Sequence, residues 1–413
     1  MSALDKVKEK KVFITDSLWS ILSLCMMNVM SQIVLYPILR RVLGAEEYGN
    51  VLYLISIINI AGTTIGSSAN SARLVASVKG KTYNSDSSLF IMGAWLLMLP
   101  VCMGVLHWGG FDDVAFQVMM TWLLTGATIW RFYADVNFRL TTNYRGYFKY
   151  YLCITLGYAL GGAIFYATKV WQLILLPGEL AGLVYVGVKG SVLQCDGRID
   201  RLRFKGYIVS VMNLALAAIL SNVVFNADRL ILKNMIDGEA VTLYYVASLM
   251  GKTIALVTVP LNSVIIGHLA KSKGNMSAKS YLMLSGLGVI LTGVALVICV
   301  LGSHIFAYLF YPQEYEAVKS LFWTANLAQI FYFASGILTM VMLRYLKEYY
   351  QLVISAGSAV LFVVAAIFGT LKGGIQGFTW ALLIANVFRY FLAVVIGAVE
   401  LSKMPRLNEG ESE

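Results

Sequence analysis

Among the ionisable residues that stand inside, or at the edge of, long apolar runs of this chain are Lys252, Arg389, Glu179 and Asp228. If those runs are membrane helices, a charge near the middle of one costs about 2.5–3.5 kcal/mol, so each such residue should face a water-filled cavity or a partner. Lys252 carries a point charge suited to an anionic group. The competing readings are an ion pair with a neighbouring acid, or snorkelling to the interface. Arg389 is a second buried cation for a cavity, or else a partner for Glu179 or for lipid phosphate. Arg73 closes the second run beside Asn70 and Ser71, where it either meets an entering anion or simply anchors the chain. Glu179 follows Pro177 and Gly178; a buried carboxylate there can bind a proton or a sodium ion, or partner a cation. Asp228, next to Arg229 at the outer end of the seventh run, reads as a cap or gate pair and as a second candidate for ion coupling. Arg131 and Asp135 are one turn apart and are expected to satisfy each other.

Amides are numerous for such apolar surroundings: Asn28, Gln32, Asn59, Asn70, Asn222, Asn226, Asn262 and Asn326. Polar side chains of this kind bridge membrane helices for about 0.6 kcal/mol each. Asn28 and Gln32, and again Asn222 and Asn226, are four residues apart, which puts both members of each pair on one helix face. Other chemistries are excluded. The triplets Gly80–Thr82 and Gly251–Thr253 read GKT, but a phosphate-binding loop needs a glycine where Val75 and Val246 stand. The histidines His107, His268 and His304 are scattered at helix ends. The cysteines Cys25, Cys102, Cys153, Cys195 and Cys299 show no metal or disulfide spacing. Neither a metal nor a catalytic triad is indicated.

The elements that must position these groups are twelve apolar runs, at approximately residues 17–38, 50–72, 88–108, 114–136, 146–168, 170–192, 206–227, 241–266, 281–302, 320–342, 350–371 and 375–398. About 20 apolar residues in a helix cross the hydrocarbon core. The composition agrees, with 59% hydrophobic and 13% charged residues, against about 25% charged in a soluble domain. The expected fold class is an all-α integral membrane protein. A β-barrel is excluded because these runs are apolar all round, whereas barrel strands alternate. The net charge of +10 does not point to nucleic acid, because 23 of the 32 basic residues fall in the N-terminus and alternate gaps and only seven in the other gaps. The positive-inside rule then places both termini in the cytoplasm. Lys252 and Arg389 are the two cations that orientation leaves unexplained. Met1–Lys11 leads into a run too long for a signal peptide and without a small-residue cleavage pattern, so it reads as an uncleaved first helix.

The longest inner connection, 193–205, divides the chain into a cytoplasmic N-terminus (1–16), an N-lobe (17–192), a linker, a C-lobe (206–398) and a cytoplasmic tail (399–413). The lobes read as repeats. LRRVLGAEEYGNVLYLIS (Leu39–Ser56) and LILKNMIDGEAVTLYYVAS (Leu230–Ser248) both run from an apolar-basic segment through a turn with glycine and acid into an aromatic-bearing helix. Each follows one of the amide pairs. Two pseudo-symmetric six-helix lobes are expected, with the paired amide faces lining one cavity.

The segment YPILRRVLGAEEYG (Tyr36–Gly49), with ANSARLVA (Ala69–Ala76), resembles the start of Wzx-type polysaccharide flippases, members of the multidrug/oligosaccharidyl-lipid/polysaccharide exporter superfamily. NADRLILKNMIDGEAVTLYYVASLMGKTIALVTVPLNSVIIGHLAK (Asn226–Lys271) is similar to that family's seventh and eighth helices. Helix number and length agree end to end, whereas the two further helices usual in lipid II flippases are lacking. The resemblance implies transfer of undecaprenyl-diphosphate-linked oligosaccharide repeat units across the bacterial inner membrane, for O-antigen, capsular or exopolysaccharide synthesis. Lys252, Arg389 and Arg73 would then meet the diphosphate, and Asn28, Gln32, Asn59, Asn222 and Asn226 the sugar hydroxyls. It also implies the polysaccharide polymerase and chain-length regulator as partners. No cofactor is expected; a proton or sodium gradient, acting through Glu179 or Asp228, is the candidate for coupling. The alternative is a multidrug antiporter of the same superfamily, whose organic cations would favour acidic rather than basic cavity residues. An oligosaccharide polymerase or ligase is disfavoured, since no outer gap is large enough to hold a catalytic loop.

Overall fold

The computed structural model describes residues 3–79, 83–111, 114–194, 196–197, 199–254 and 276–403. The described chain is helical. α1 (Ala3–Val29) continues through a π-helical turn, Met30–Leu35, into α2 (Tyr36–Leu43). Pro37 explains the wide turn: it lacks an N–H and crowds the carbonyl four residues earlier. Next come α3 (Ala45–Ala61), a second π turn at Gly62–Gly66, α4 (Ser67–Lys79), α5 (Asn84–Trp108), α6 (Val114–Ala134), α7 (Val136–Leu140) and α8 (Tyr144–Thr168). α9 (Leu176–Lys189), α10 (Arg201–Met235), α11 (Gly238–Thr253), α12 (Ala278–Phe310), α13 (Tyr315–Val318), α14 (Phe322–Tyr345) and α15 (Glu348–Ser402) complete the order.

Eight helical stretches among the described residues are long and apolar enough to cross a membrane: Thr15–Leu43, Ala45–Ser77, Asn84–Trp108, Tyr144–Thr168, Arg201–Met235, Ala278–Phe310, Tyr315–Tyr345 and Tyr349–Ser402. The last contains two of the expected runs. Its backbone leaves the helix at Gly373 (φ −137°, ψ 17°) and Gly374 (φ 54°, ψ −135°). A side chain at Gly377 would strike the carbonyl oxygen of Gly369, so the chain doubles back there with its backbones in contact. The fourth, sixth and eighth expected runs are helical at α6, α9 and α11. The continuation of the eighth to residue 266 lies outside the described residues, as do Asn262, His268, Cys195 and the Gly80–Thr82 triplet. Large apolar side chains such as Leu97, Val188, Met283 and Leu371 are exposed on the helices. Such continuous apolar exposure suits lipid rather than water.

Several boundaries differ from expectation, and three of them involve the prolines or the candidate residues. The first helix runs on to Leu43, because Pro37 is absorbed by the π turn. The sixth is short: Trp171–Ile174 form a 3₁₀ turn and α9 starts with Pro177 in its first turn, where the missing N–H costs nothing. Glu179 therefore stands in the first turn of a helix, not near its middle. The seventh extends to Met235, so Asp228 lies well inside α10 rather than at its end.

Contacts divide the chain into two compact units, Met1–Ala227 and Asp228–Glu413. In the first, α8 packs along α9 and α1, and α5 along α6. Gly157 and Gly178 allow the close α8–α9 approach, since a side chain on Gly157 would meet the Gly178 backbone. Trp95 and Trp122 stack at 4.6 Å, and each indole N–H donates to the other's carbonyl at 2.9 Å. In the second unit α14 packs against α15, α11 and α12. Its core gathers Tyr281, Leu338, Met342, Ile354, Tyr390 and Ala393. Here the buried tyrosines find acceptors: Tyr281 donates to the Ala393 carbonyl at 3.1 Å, and Tyr390 to that of Ser285 at 2.6 Å.

Candidate functional site: a buried cation and its carboxylate

In the second unit the Lys252 ammonium donates to Asp228 Oδ2 at 2.5 Å. Of the two expected alternatives for Lys252, an acid partner is therefore present. Its side chain is 12% exposed and that of Asp228 5%. The other carboxylate oxygen, Oδ1, is buried without a hydrogen-bond partner among the described residues. Arg229 follows in the helix, but its guanidinium lies 5.4 Å from the ring centre of Tyr245. The Asp228–Arg229 pair read from adjacency is thus replaced by a pair between consecutive helices, α10 and α11.

Uncharged polar groups of α14 and α12 hold this place. The Asn326 side-chain oxygen accepts the Gly251 N–H at 2.6 Å, fixing the turn that carries Lys252. Its amide nitrogen donates to Ser303 Oγ at 3.0 Å and to the Ala247 carbonyl at 3.2 Å. Gln329 donates to the Tyr244 hydroxyl at 3.3 Å. Gly251 makes this approach possible, since a side chain there would press on Asn326 and Gln329. Arg389 on α15 is half-buried, with its guanidinium 4.6 Å from the ring centre of Tyr332 and its Nε without a hydrogen-bond partner among the described residues. It is a cation stacked on an aromatic face.

In the first unit the Arg131 Nε lies 2.8 Å and 3.0 Å from the two oxygens of Glu179. The Tyr158 hydroxyl donates to the same carboxylate at 2.7 Å. Asp135 instead receives the hydroxyls of Tyr147 and Tyr151, each at 3.3 Å. The expected Arg131–Asp135 pair is corrected: a carboxylate from α9 reaches the guanidinium, and the tyrosines of α8 take Asp135. The signal available was the stripe of Tyr147, Tyr151 and Tyr158 at helical spacing, a face with polar tips. All of these side chains are buried.

Arg73 is also buried in this unit, bonded to the Tyr133 hydroxyl and to the Asn84 side-chain oxygen. Asn84 opens α5, whose N-terminus is capped by Asp196 through the Asn84 N–H at 2.7 Å and the Ser85 N–H at 3.2 Å. Within the first turn of α5, Asp86 takes Arg203 at 2.5 Å, and the Arg203 guanidinium lies 3.8 Å from the Tyr83 ring centre. Arg203 thereby ties the first turn of α10 to the start of α5. Asn28, Gln32 and Asn226 bond within their own helices, whereas Asn222 reaches another segment. Asn28 donates to the Leu24 carbonyl at 2.8 Å and accepts from Gln32 at 3.2 Å. Asn226 donates to the Asn222 carbonyl at 2.9 Å, and Asn222 to Thr64 Oγ1 at 3.0 Å. Asn59 is half-buried, and its carbonyl accepts from Thr63 at 2.6 Å.

No protein-family model and no curated protein matches this chain. Solved structures do resemble it. An inward-facing multidrug resistance MATE family transporter of the MOP superfamily is 14% identical with a TM-score of 0.66, covering 93% of this chain and 98% of that one. An outward-facing transporter of the same description is 14% identical with a TM-score of 0.65, over 95% and 96% of the two chains. A Vibrio cholerae MATE transporter in the bent form is 12% identical with a TM-score of 0.59, over 95% and 97%. The chain has this multi-helix membrane fold along nearly its whole length.

Proposed function

We propose that this chain, built on the fold of MATE transporters, moves an anionic lipid-linked oligosaccharide across the bacterial inner membrane. The cargo is an undecaprenyl-diphosphate-linked repeat unit, passed from the inner to the outer leaflet by alternating access. In this reading twelve segments span the bilayer with both termini in the cytoplasm. The polymerase and chain-length regulator of the same pathway consume the product.

The observation that carries the reading is the Lys252 ammonium: a half-buried cation on α11, paired with Asp228 and carried on a turn that Asn326 fixes through the Gly251 N–H. A diphosphate supplies the anion for it, and the Wzx resemblance of Tyr36–Gly49 and Asn226–Lys271 names the cargo class. The inward- and outward-facing forms among structures of this fold support alternating access. Asp228 is the better candidate for ion coupling, since Glu179 is held by a permanently charged guanidinium and a tyrosine hydroxyl.

The test is reconstitution of the purified chain in proteoliposomes with the lipid-linked repeat unit of its own cell. Appearance of the sugar on the far leaflet is expected, and deletion of the gene should trap the repeat unit in the inner leaflet. Normal exposure and polymerisation of the repeat unit in the deletion strain would overturn the reading. A second reading, export of organic cations, is favoured by the multidrug description of the matched transporters. It predicts efflux of cationic dyes from the same vesicles and indifference to Lys252→Ala.

A further inference from the structure

We propose that Asp228 is a tethered counter-ion for Lys252: it occupies the ammonium when no cargo is bound, is displaced by the anionic group of the cargo, and takes up a proton from water as it leaves. This rests on the reading that Lys252 receives an anion.

Three features of the pair carry the inference. Asp228 holds Lys252 through one oxygen only, at 2.5 Å. Of the two side chains that of Lys252 is the more exposed, 12% against 5%, and an anion that binds the ammonium competes directly with the carboxylate. The second oxygen of Asp228 is buried with no hydrogen-bond partner among the described residues. With the Arg229 guanidinium turned to the Tyr245 ring, a carboxylate that loses Lys252 is a buried charge without a direct hydrogen-bonded cation among the described residues, and such groups neutralise by binding a proton. The free oxygen is where that proton can sit.

Among the described residues the titratable groups around Asp228 include Lys252, Arg229 on its own helix, and Tyr244 and Tyr245 on α11, the Tyr244 hydroxyl accepting from Gln329. With Asp228 ionised, the cluster carries one net positive charge. With Asp228 protonated it carries two, which balances a diphosphate diester bearing one charge on each phosphate. Proton uptake therefore accompanies anion binding, and affinity for the anion rises as pH falls.

The experiment uses the full chain in lipid nanodiscs and a short-chain probe, farnesyl-diphospho-glucose, whose two phosphodiester charges do not titrate between about pH 5.5 and 8.5. Wild type is expected to bind more tightly on acidification, by up to about tenfold per pH unit for one linked proton. Asp228→Asn is expected to bind more tightly than wild type at neutral pH and to lose the pH dependence. Asp228→Asn binding no tighter, or retaining the pH dependence, overturns the counter-ion role. Should that variant not fold, a pH-independent affinity in wild type overturns it equally. Lys252→Ala is expected to lose the probe; wild-type binding by that variant would instead overturn the underlying assignment of Lys252 to the anion.

Discussion

Arg131 and Glu179 are separated by 48 residues, yet the Arg131 Nε lies within 3.0 Å of both carboxylate oxygens. With Tyr158, which donates to the same carboxylate at 2.7 Å, they join α6, α8 and α9 at one buried point. The small residues Gly157 and Gly178 bring α8 and α9 close enough for it. The pair is a clamp of the first unit.

Removing one partner of this clamp strands the other. Glu179→Ala should destabilise the protein by about 3–5 kcal/mol, seen as a lower melting temperature in detergent. Replacing both partners, as Arg131→Met with Glu179→Leu, should recover most of that loss. A single variant as stable as wild type would show that the pair is not a clamp.

Asp135 accepts from two buried tyrosine hydroxyls. Asp135→Asn keeps an acceptor and should be nearly neutral in stability. Asp135→Leu should cost about 1–3 kcal/mol for each hydroxyl left without one. Equal unfolding midpoints for the two variants would contradict this.

For Lys252 the expected result is a loss of transport upon Lys252→Ala and substantial retention upon Lys252→Arg. A charge-assisted contact contributes about 1.5–3 kcal/mol, which corresponds to roughly 10–150-fold in initial rate at low cargo concentration. Surface polysaccharide at matched expression is the readout. Full activity of the alanine variant would remove Lys252 from the cargo path.

The turn within α15 offers a backbone test. Gly374 has φ 54° and ψ −135°, a region that side chains rarely enter. Gly374→Ala should cost about 1–3 kcal/mol. Gly377→Ala should cost more than an ordinary glycine-to-alanine change, since its new methyl would strike the Gly369 carbonyl. A thermal-shift series on both variants checks the order.

Much of the helical layout was legible because membrane physics leaves so few options. An apolar run of sufficient length must satisfy its backbone internally, so it becomes a helix. Where charge and proline entered, legibility fell. Asp228 and Arg229 resembled a helix exit, but α10 continues to Met235 because Lys252 compensates the carboxylate. Pro177 falls inside the expected sixth run, 170–192, but it stands in the first turn of α9. The one-turn spacing of Arg131 and Asp135 suggested a pair, which a better-placed carboxylate on α9 displaced.

By itself, then, the sequence determined the helical fold class, the approximate positions of its runs, and the short roll of ionisable residues that an apolar interior does not tolerate without compensation. These follow from composition and period, which are local. Partners were decided only by the tertiary structure. Which acid meets which base depends on how helices far apart in the chain are brought together. Thus Lys252 found Asp228 and Arg131 found Glu179, while Asp135 was left to the hydroxyls of Tyr147 and Tyr151.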